Sequence, residues 1–259
     1  MTEATAPADQ TPRNRTVVIL GATSTIARAV AAEFARRGFD LLVAGRDPDE
    51  LETLASDLQL RFRVRAKARP FDALALETHA RFVEDCRQAS QETLVGAVLC
   101  FGTLGDQKAA ERDPREARRI LDTNLLGAVS VLGLLANYFE ARRSGFLCAL
   151  SSVAGDRGRQ SNYIYGAAKA GLTAFLQGLR NRLSSSGVAV VTIRAGLVDT
   201  PMTYGRPGLF LVASPEKVAR QIVGAALEGK DESYVPAFWR PIMFLIRSIP
   251  ERIFKRMRL

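Results

Sequence analysis

The sequence is nearly without histidine: His79 is the only one in 259 residues. A multi-histidine metal site is therefore excluded, and a Ser-His-Asp triad would have to use that one ring. His79 lies in the polar stretch ALETHARFVEDC, where a surface helix position is expected. Cysteine is also sparse. Cys86, Cys100 and Cys148 are an odd number with no close pair, which reads as reduced thiols in a cytoplasmic protein and not as a disulfide framework. No stretch reaches 18 apolar residues, so no spanning helix is expected. The first residues, MTEATAPADQTPRN, lack the apolar core of a secretory signal, and 1–14 reads as a disordered tail.

Acidic residues are in deficit, with 27 against 36 basic ones and a net charge of +9. The excess is uneven. Residues 236–259 hold Arg240, Arg247, Arg252, Lys255, Arg256 and Arg258 against Glu251 alone. Such a local excess describes one surface, not the whole body. A nucleic-acid partner is not expected, because the other basic stretch, RFRVRAKAR (61–69), lacks the aromatic interleaving that base stacking uses. Its strict alternation predicts a strand with Arg61, Arg63, Arg65, Lys67 and Arg69 on one face, read as an edge strand guarded by its charges.

Apolar β-branched runs alternate with helical patterns along the rest of the chain. Strands are expected at TVVIL (16–20), DLLVAG (40–45), LVGAVLC (94–100), GFLCALS (145–151), VAVVTIR (188–194) and SYVPA (233–237). Helices are marked by Ile26, Val30 and Phe34, and by Leu51, Leu54 and Leu58 after Pro48. Gly38 suits the end of the first. Repeated strand–helix alternation gives an α/β fold: a Rossmann-type, doubly wound parallel sheet of about seven strands with helices on both faces. The expected division is a catalytic dinucleotide-binding domain over 15–235 and a basic amphipathic segment over 236–259.

Three stretches carry chemistry. LGATSTIA (20–27) is a tight strand-to-helix turn of the kind that offers backbone N–H groups to a pyrophosphate, with Thr25 and Ala27 where further glycines would be expected. The second strand ends at Arg46, suited to a 2′-phosphate, where an acid would bind a ribose, so NADP(H) is favoured over NAD(H). Tyr165-Gly166-Ala167-Ala168-Lys169 places a phenol and an ammonium on one helix face. The cation is expected to lower the phenol's pKa, letting it exchange a proton with a carbonyl or alcohol. Ser151-Ser152 closes a strand thirteen residues earlier, where a serine can hold a substrate oxygen.

Taken in order, the glycine turn, Arg46, Asp72, Asn124, Ser152, Tyr165, Lys169, Gly196 and Thr200 resemble the short-chain dehydrogenase/reductase family over roughly residues 15–235. That resemblance implies a catalytic set of Asn124, Ser152, Tyr165 and Lys169, with Asn124 holding a water in a proton relay. It implies cofactor contacts at Gly21, Thr23, Ser24, Thr25, Ile26, Arg46, Asp72, Gly102, Tyr165, Lys169, Gly196, Val198 and Thr200. Asp72 would lie near the adenine, Lys169 would bind the nicotinamide ribose, and Thr200 would meet the carboxamide or phosphate end. It also implies a homodimer or homotetramer. The chain departs from the family at Leu99-Cys100-Phe101-Gly102, usually Asn-Asn-Ala-Gly, and at Ala195-Gly196, usually Pro-Gly.

CFGTLGDQ, YGAAKAGLTAF and WRPIMFLIRSIPERIFKRM are similar to the family members acting on decaprenylphosphoryl-2-keto-ribose. This implies reduction of a ketone on a lipid-linked keto-sugar or other long-chain substrate. A 3-ketoacyl or 3-ketosphinganine reductase is the alternative, and a non-catalytic dinucleotide-binding regulator is the alternative from another class. The tail interleaves apolar residues with arginines, with Pro241 and Pro250 bounding a short helical stretch. It would lie on the inner face of a membrane, on the lipid part of a substrate, or against its own domain or a partner subunit.

Overall fold

A computed structural model describes residues 15–201 and 211–257. Seven parallel strands form one sheet in the order β3-β2-β1-β4-β5-β6-β7. They are β1 (Thr16–Leu20), β2 (Asp40–Gly45), β3 (Ala66–Pro70), β4 (Leu94–Leu99), β5 (Gly145–Ser152), β6 (Val188–Ala195) and β7 (Glu232–Val235). The expected α/β architecture is therefore the observed one. The expected tail at 1–14 and the cation Arg258 lie outside the described residues.

The central strands β1, β4, β5 and β6 are largely apolar because both faces of the sheet are covered there, whereas the edge strands β3 and β7 carry charged, partly exposed residues. Val17 and Ile19 belong to one core cluster and Val18 and Leu20 to the other, as a period of two requires. Helices α1 (Thr25–Arg36), α2 (Pro48–Phe62) and α8 (Pro215–Leu227) pack on the first side, through Val30, Phe34, Leu51, Leu58 and Ile222. Helices α3 (His79–Ala89), α6 (Gly127–Arg142) and α7 (Tyr163–Leu183) cover the second, through Phe82, Leu135, Phe139, Leu172 and Leu176. Short helices α4 (Gln107–Ala110) and α5 (Pro114–Leu121) lead into α6 through a π-helical turn over Asp122–Leu126. The continuous run Pro114–Arg142 is long and apolar enough to cross a membrane, which no run of consecutive apolar residues had suggested. Nearly half of its most apolar window is buried in the domain core.

The 61–69 segment is not a nine-residue strand. The stripe Leu51, Leu54 and Leu58 continues to Phe62, so α2 runs on to that residue and Arg61 becomes a helical partner of Asp57, 2.9 Å away. Arg63 ends the helix with φ 57°, and only Ala66–Pro70 pairs with β2. Helical burial of Phe62 overrides the alternation. The edge position of the remaining strand is as expected. Arg65 is held by Asp40, its Nε 2.9 Å from Oδ2, so the five charges do not form one exposed face.

His79 is likewise not a surface residue. It is fully buried, with Nδ1 2.8 Å from Ser130 Oγ, Nε2 2.9 Å from the Asp72 carbonyl, and its ring stacked on Phe71. Satisfying both nitrogens makes burial tolerable, and the ring pins the loop after β3 to α6. The three cysteines are free. Cys86 and Cys148 are core residues, and Cys100 is half-buried.

The C-terminal segment forms α9 (Trp239–Ser248) and α10 (Glu251–Phe254). It packs on its own domain: Trp239 and Met243, one helical turn apart, bury against Val153, Leu197 and Tyr234. Arg157 closes the joint. Its Nη1 donates to the carbonyls of Ile246, Arg247 and Ile249, and its guanidinium lies 3.8 Å from the centre of the Phe254 ring.

Candidate active site

The carboxyl ends of β1, β2, β4, β5 and β6 open on one cleft of about 590 Å³. In a doubly wound sheet this is where ligands bind, because the crossovers diverge on either side of the switch between β1 and β4.

Gly21 begins the turn after β1 with φ +78°, a left-handed conformation that disfavours any side chain. A Cβ there would also lie 2.7 Å from Phe101 Cβ, so the loop after β4 presses directly on the turn. Ser24 caps α1, its Oγ accepting from Ala27 N at 3.3 Å. Thr23, Ser24, Thr25 and Ile26 line the cleft around that helix start, and Arg46 lines it from the end of β2. Arg46 is exposed and makes no hydrogen bond or ion pair among the described residues. Asp72, Gly102, Gly196, Val198 and Thr200 line the cleft as well. All thirteen positions expected to contact cofactor, from Gly21 to Thr200, thus share one cavity.

At the other end of the cleft, α7 and β5 bring Ser152, Tyr165 and Lys169 together. The contact is tight because two glycines permit it. A Cβ on Gly166 would lie 2.9 Å from the Ala154 carbonyl oxygen, and one on Gly155 would lie 2.7 Å from Ala170 N. Ser152 Oγ accepts from Ala154 N at 3.1 Å and is hydrogen-bonded to the Tyr165 phenol. Lys169 is buried, donates from Nζ to the Leu150 carbonyl at 2.9 Å, and sits 5.8 Å from the centre of the Tyr165 ring. Its neighbour Ser151 is a structural residue, bonded to the Lys169 carbonyl at 3.0 Å and to Thr173 Oγ1 at 2.8 Å.

Asn124 sits in the π-helical turn, which frees the Ile120 carbonyl to accept from its Nδ2 at 2.8 Å. The same amide donates to the Thr103 carbonyl at 2.7 Å and accepts from Thr103 N at 3.2 Å. It therefore clamps the 102–103 loop, and a Cβ on Gly102 would collide with its Oδ1 at 2.7 Å.

The electrostatics differ from the sequence expectation. Burial dominates at Tyr165 and pushes the phenol up to about 12, with the Ser152 hydrogen bond and the charge of Arg159 pulling the other way. Burial also pushes Lys169 down to about 8. The Lys169 ammonium lies 5.8 Å from the ring centre, and it is desolvation of the phenolate that sets the direction of the Tyr165 shift. Burial raises the Cys100 thiol to about 12 as well, so this cleft-lining cysteine is protonated.

Several neighbours had no signal in the sequence. Trp239 lies across Gly196, where a Cβ would fall 1.9 Å from the indole Nε1. This glycine is thus required by the C-terminal helix as well as by the cleft. Phe101, Thr103, Arg119 and Thr123 also line the cavity. Among the described residues no cluster of histidine, cysteine, aspartate and glutamate could hold a metal.

A sequence model of the short chain dehydrogenases matches residues 15–207. The chain belongs to the short-chain dehydrogenase/reductase family. It is similar to an uncharacterized oxidoreductase of Mycobacterium tuberculosis, 36% identical over 93% of this chain and 96% of that protein. It is also similar to one of Streptomyces coelicolor, 36% identical over 97% of this chain and 99% of that protein. Among solved structures, a short-chain dehydrogenase from Sphingobium yanoikuyae in complex with NADPH superposes with TM-score 0.76, covering 92% of this chain and 97% of that one at 23% identity. This chain is a family oxidoreductase built on the family fold.

Proposed function

We propose that this short-chain dehydrogenase/reductase binds NADPH and reduces a ketone to a secondary alcohol, on a lipid-linked keto-sugar or another long-chain substrate. The observation that carries the reading is the convergence of Ser152, Tyr165 and Lys169 at one end of a cleft whose other end presents the unpaired Arg46.

The cleft suits a dinucleotide. The left-handed Gly21 and the capped start of α1 leave room and free N–H groups for a pyrophosphate. Arg46, which lines the cleft at the end of β2, suits a 2′-phosphate, and Asp72, on the same cleft, suits the adenine side. Val198 and Thr200 serve the nicotinamide end. When bound, the reduced nicotinamide supplies a hydride. Ser152 Oγ holds the ketone oxygen. Tyr165, protonated at neutral pH because burial raises its pKa, donates the proton to that oxygen. Lys169 holds the nicotinamide ribose and contributes positive charge as the phenol gives up its proton. Asn124 fixes the 102–103 loop beneath them and, as in the family, orders a water that returns a proton to the site.

The lipid part of the reading is supported by α9, on which Phe244 and Leu245 stay 71% and 66% exposed beside Arg240 and Arg247. That face suits the cytoplasmic surface of an anionic membrane. The catalytic domain of 15–235 and the segment 236–259 then divide the work between chemistry and delivery.

The test is an NADPH-oxidation screen of the full chain against polyprenyl-linked keto-sugars, 3-ketoacyl thioesters, 3-ketosphinganine and simple long-chain ketones, repeated with NADH. Turnover of the keto-sugar lipids is the expected result. Turnover of 3-ketoacyl or 3-ketosphinganine substrates alone would replace the substrate assignment. Dinucleotide binding without turnover of any ketone would make the protein a binding regulator.

A further inference from the structure

The segment 153–162 joins Ser152 to Tyr165, and the chemistry above uses none of its side chains. Two of its polar atoms, Arg159 Nε and Asn162 Oδ1, are buried with no hydrogen-bond partner. Its other two charged side chains are saturated. Arg157 spends its guanidinium on three carbonyls and Glu251 of the C-terminal segment. Asp156 accepts from Arg194 and, at 2.8 Å, from the Tyr234 hydroxyl. The carboxylate whose charge reaches Arg159 is therefore already committed, and Arg159 has no ion pair among the described residues. Arg159 is half-buried and its Nε is shut off from water; a guanidinium N–H withdrawn from water ordinarily has a partner, because desolvating it is costly without one.

The position of this bare cation is specific. Asn162 N donates to the Arg159 carbonyl at 3.1 Å, and Gly166 N donates to the Asn162 carbonyl at 2.8 Å, so the turn feeds straight into the first turn of α7. Asn162 stands at the N-cap position of α7, and its side chain makes no capping bond. The charges of Arg159 and Tyr165 act on one another. An arginine offers a fork of N–H donors that matches a carboxylate or phosphate, and a carboxamide can turn to present its NH2 beside it.

We propose that Arg159, assisted by Asn162, is the subsite for an oxyanion group, a phosphate ester or a carboxylate, carried close to the reacting ketone. This deepens the reductase reading and rests on it. It assigns specificity to a residue outside the expected catalytic set: the preferred substrate is an anionic ketone, and its anion takes the place of the missing counter-ion.

The probes are dihydroxyacetone phosphate and dihydroxyacetone, the same ketone with and without the anion. Acetoacetate against acetone serves as the carboxylate arm. Full-length wild type, Arg159→Gln and Arg159→Lys are compared for NADPH oxidation, and calorimetry follows binding of glycerol 3-phosphate with and without NADP+. Arg159 makes no native bond that its loss would break, and thermal unfolding confirms that the variants fold. The expected result is that Arg159→Gln lowers the ratio of kcat/KM for the phosphorylated over the free ketone by about tenfold or more, through KM. Glycerol 3-phosphate binding weakens by a similar factor, and Arg159→Lys falls between. A larger effect on acetoacetate than on the phosphate identifies a carboxylate substrate. An unmoved ratio with turnover intact overturns the subsite and leaves the reductase reading standing. Arg159-dependent binding without turnover of any ketone does the reverse. Absence of glycerol 3-phosphate binding to the wild type, with no preference for either anionic ketone, also overturns the subsite.

Discussion

Along β1, β2 and β4 the cleft is walled by backbone and small side chains, Gly21, Thr23, Gly45 and Gly102, with Arg46 as an exposed cation at its end. Along β5 and α7 the wall is made of ionisable side chains taken out of water, Tyr165 and Lys169, whose pKa values burial moves to about 12 and about 8. The first wall works by shape: where Gly21 meets Phe101, a side chain has no room. The second works by chemistry held at an energetic disadvantage. Changes in the first should alter how tightly a ligand sits, and changes in the second should alter rate and, in the opposite sense, stability.

The sharpest way to break that contrast is Tyr165→Phe. The only histidine is fully buried with both nitrogens engaged, so it is not free to replace the phenol. A loss of about 10²–10⁴-fold in kcat is expected, with NADPH binding little changed. Stopped-flow turnover and fluorescence titration of NADPH check the two halves; activity within about threefold of the parent would remove Tyr165 from the chemistry.

Next in size is a gain in stability from Lys169→Met. The folded-state pKa of about 8 lies below the ordinary lysine value of 10.5, so below pH 8 the fold carries the full cost of a buried cation. That difference corresponds to about 3 kcal/mol, offset by about 1 kcal/mol for the lost bond to the Leu150 carbonyl. Lys169→Met should therefore be inactive yet more stable by roughly 2 kcal/mol at pH 7. Because the folded wild type loses the proton before the unfolded chain does, its own deficit shrinks as pH rises from 8 to 10.5. Urea titrations at pH 7 and pH 10 should show the advantage of the variant closing; an advantage that grows with pH would contradict the assignment.

The shape-bearing wall gives a smaller effect. Arg46→Ala should raise KM for NADPH by about tenfold and leave NADH nearly unaffected, since one charge-assisted contact to a phosphate is worth roughly 1.5–3 kcal/mol. Equal KM values for the two cofactors in the wild type would show that Arg46 is only a solvated side chain.

How far the two walls can be read from sequence follows from the range of the interactions that build them. The parallel α/β sheet was legible because strand periodicity and crossover handedness are local rules that repeat, whereas the grouping of Gly21, Arg46, Ser152, Tyr165 and Lys169 followed from the order of motifs that resembles the family. The 61–69 strand was misplaced because Phe62 belongs to two patterns, and only packing against the core beside α1 decides between them. His79 looked like a surface residue because its partners, Ser130 and the Asp72 carbonyl, are remote or are backbone. The direction of the Tyr165 shift depends on how much protein surrounds the hydroxyl, which the spacing to Lys169 does not contain. Arg159 was invisible for the same reason: an arginine without a partner is recognised only after every nearby carboxylate has been assigned. Gly196 was noted for its place after β6, but its contact with Trp239 joins residues 43 apart along the chain.

The smallest expected effect lies where the chemical wall runs into the C-terminal helix. The inward face of α9 is structural, since Trp239 and Met243 are buried and Arg157 ties the helix end to the segment before Tyr165. Deleting the whole tail would therefore damage the domain and test nothing about membranes. Phe244 and Leu245 point away from that packing, and Arg240, Arg247, Arg252 and Lys255 are exposed around them. Phe244→Ser with Leu245→Ser should leave Tm within about a degree, because neither side chain is in the core. It should lower partitioning onto vesicles containing anionic lipid by about fivefold, the equivalent of roughly 1 kcal/mol of apolar surface only partly buried at an interface. High salt should weaken binding of both proteins, since roughly 1 kcal/mol per basic residue near the surface is screened. The apolar difference between them should survive it. Co-sedimentation at low and high salt separates these contributions. If wild type and double variant sediment alike at both salt concentrations, the outer face of α9 does not enter a bilayer, and delivery of a lipid-linked substrate must use another surface.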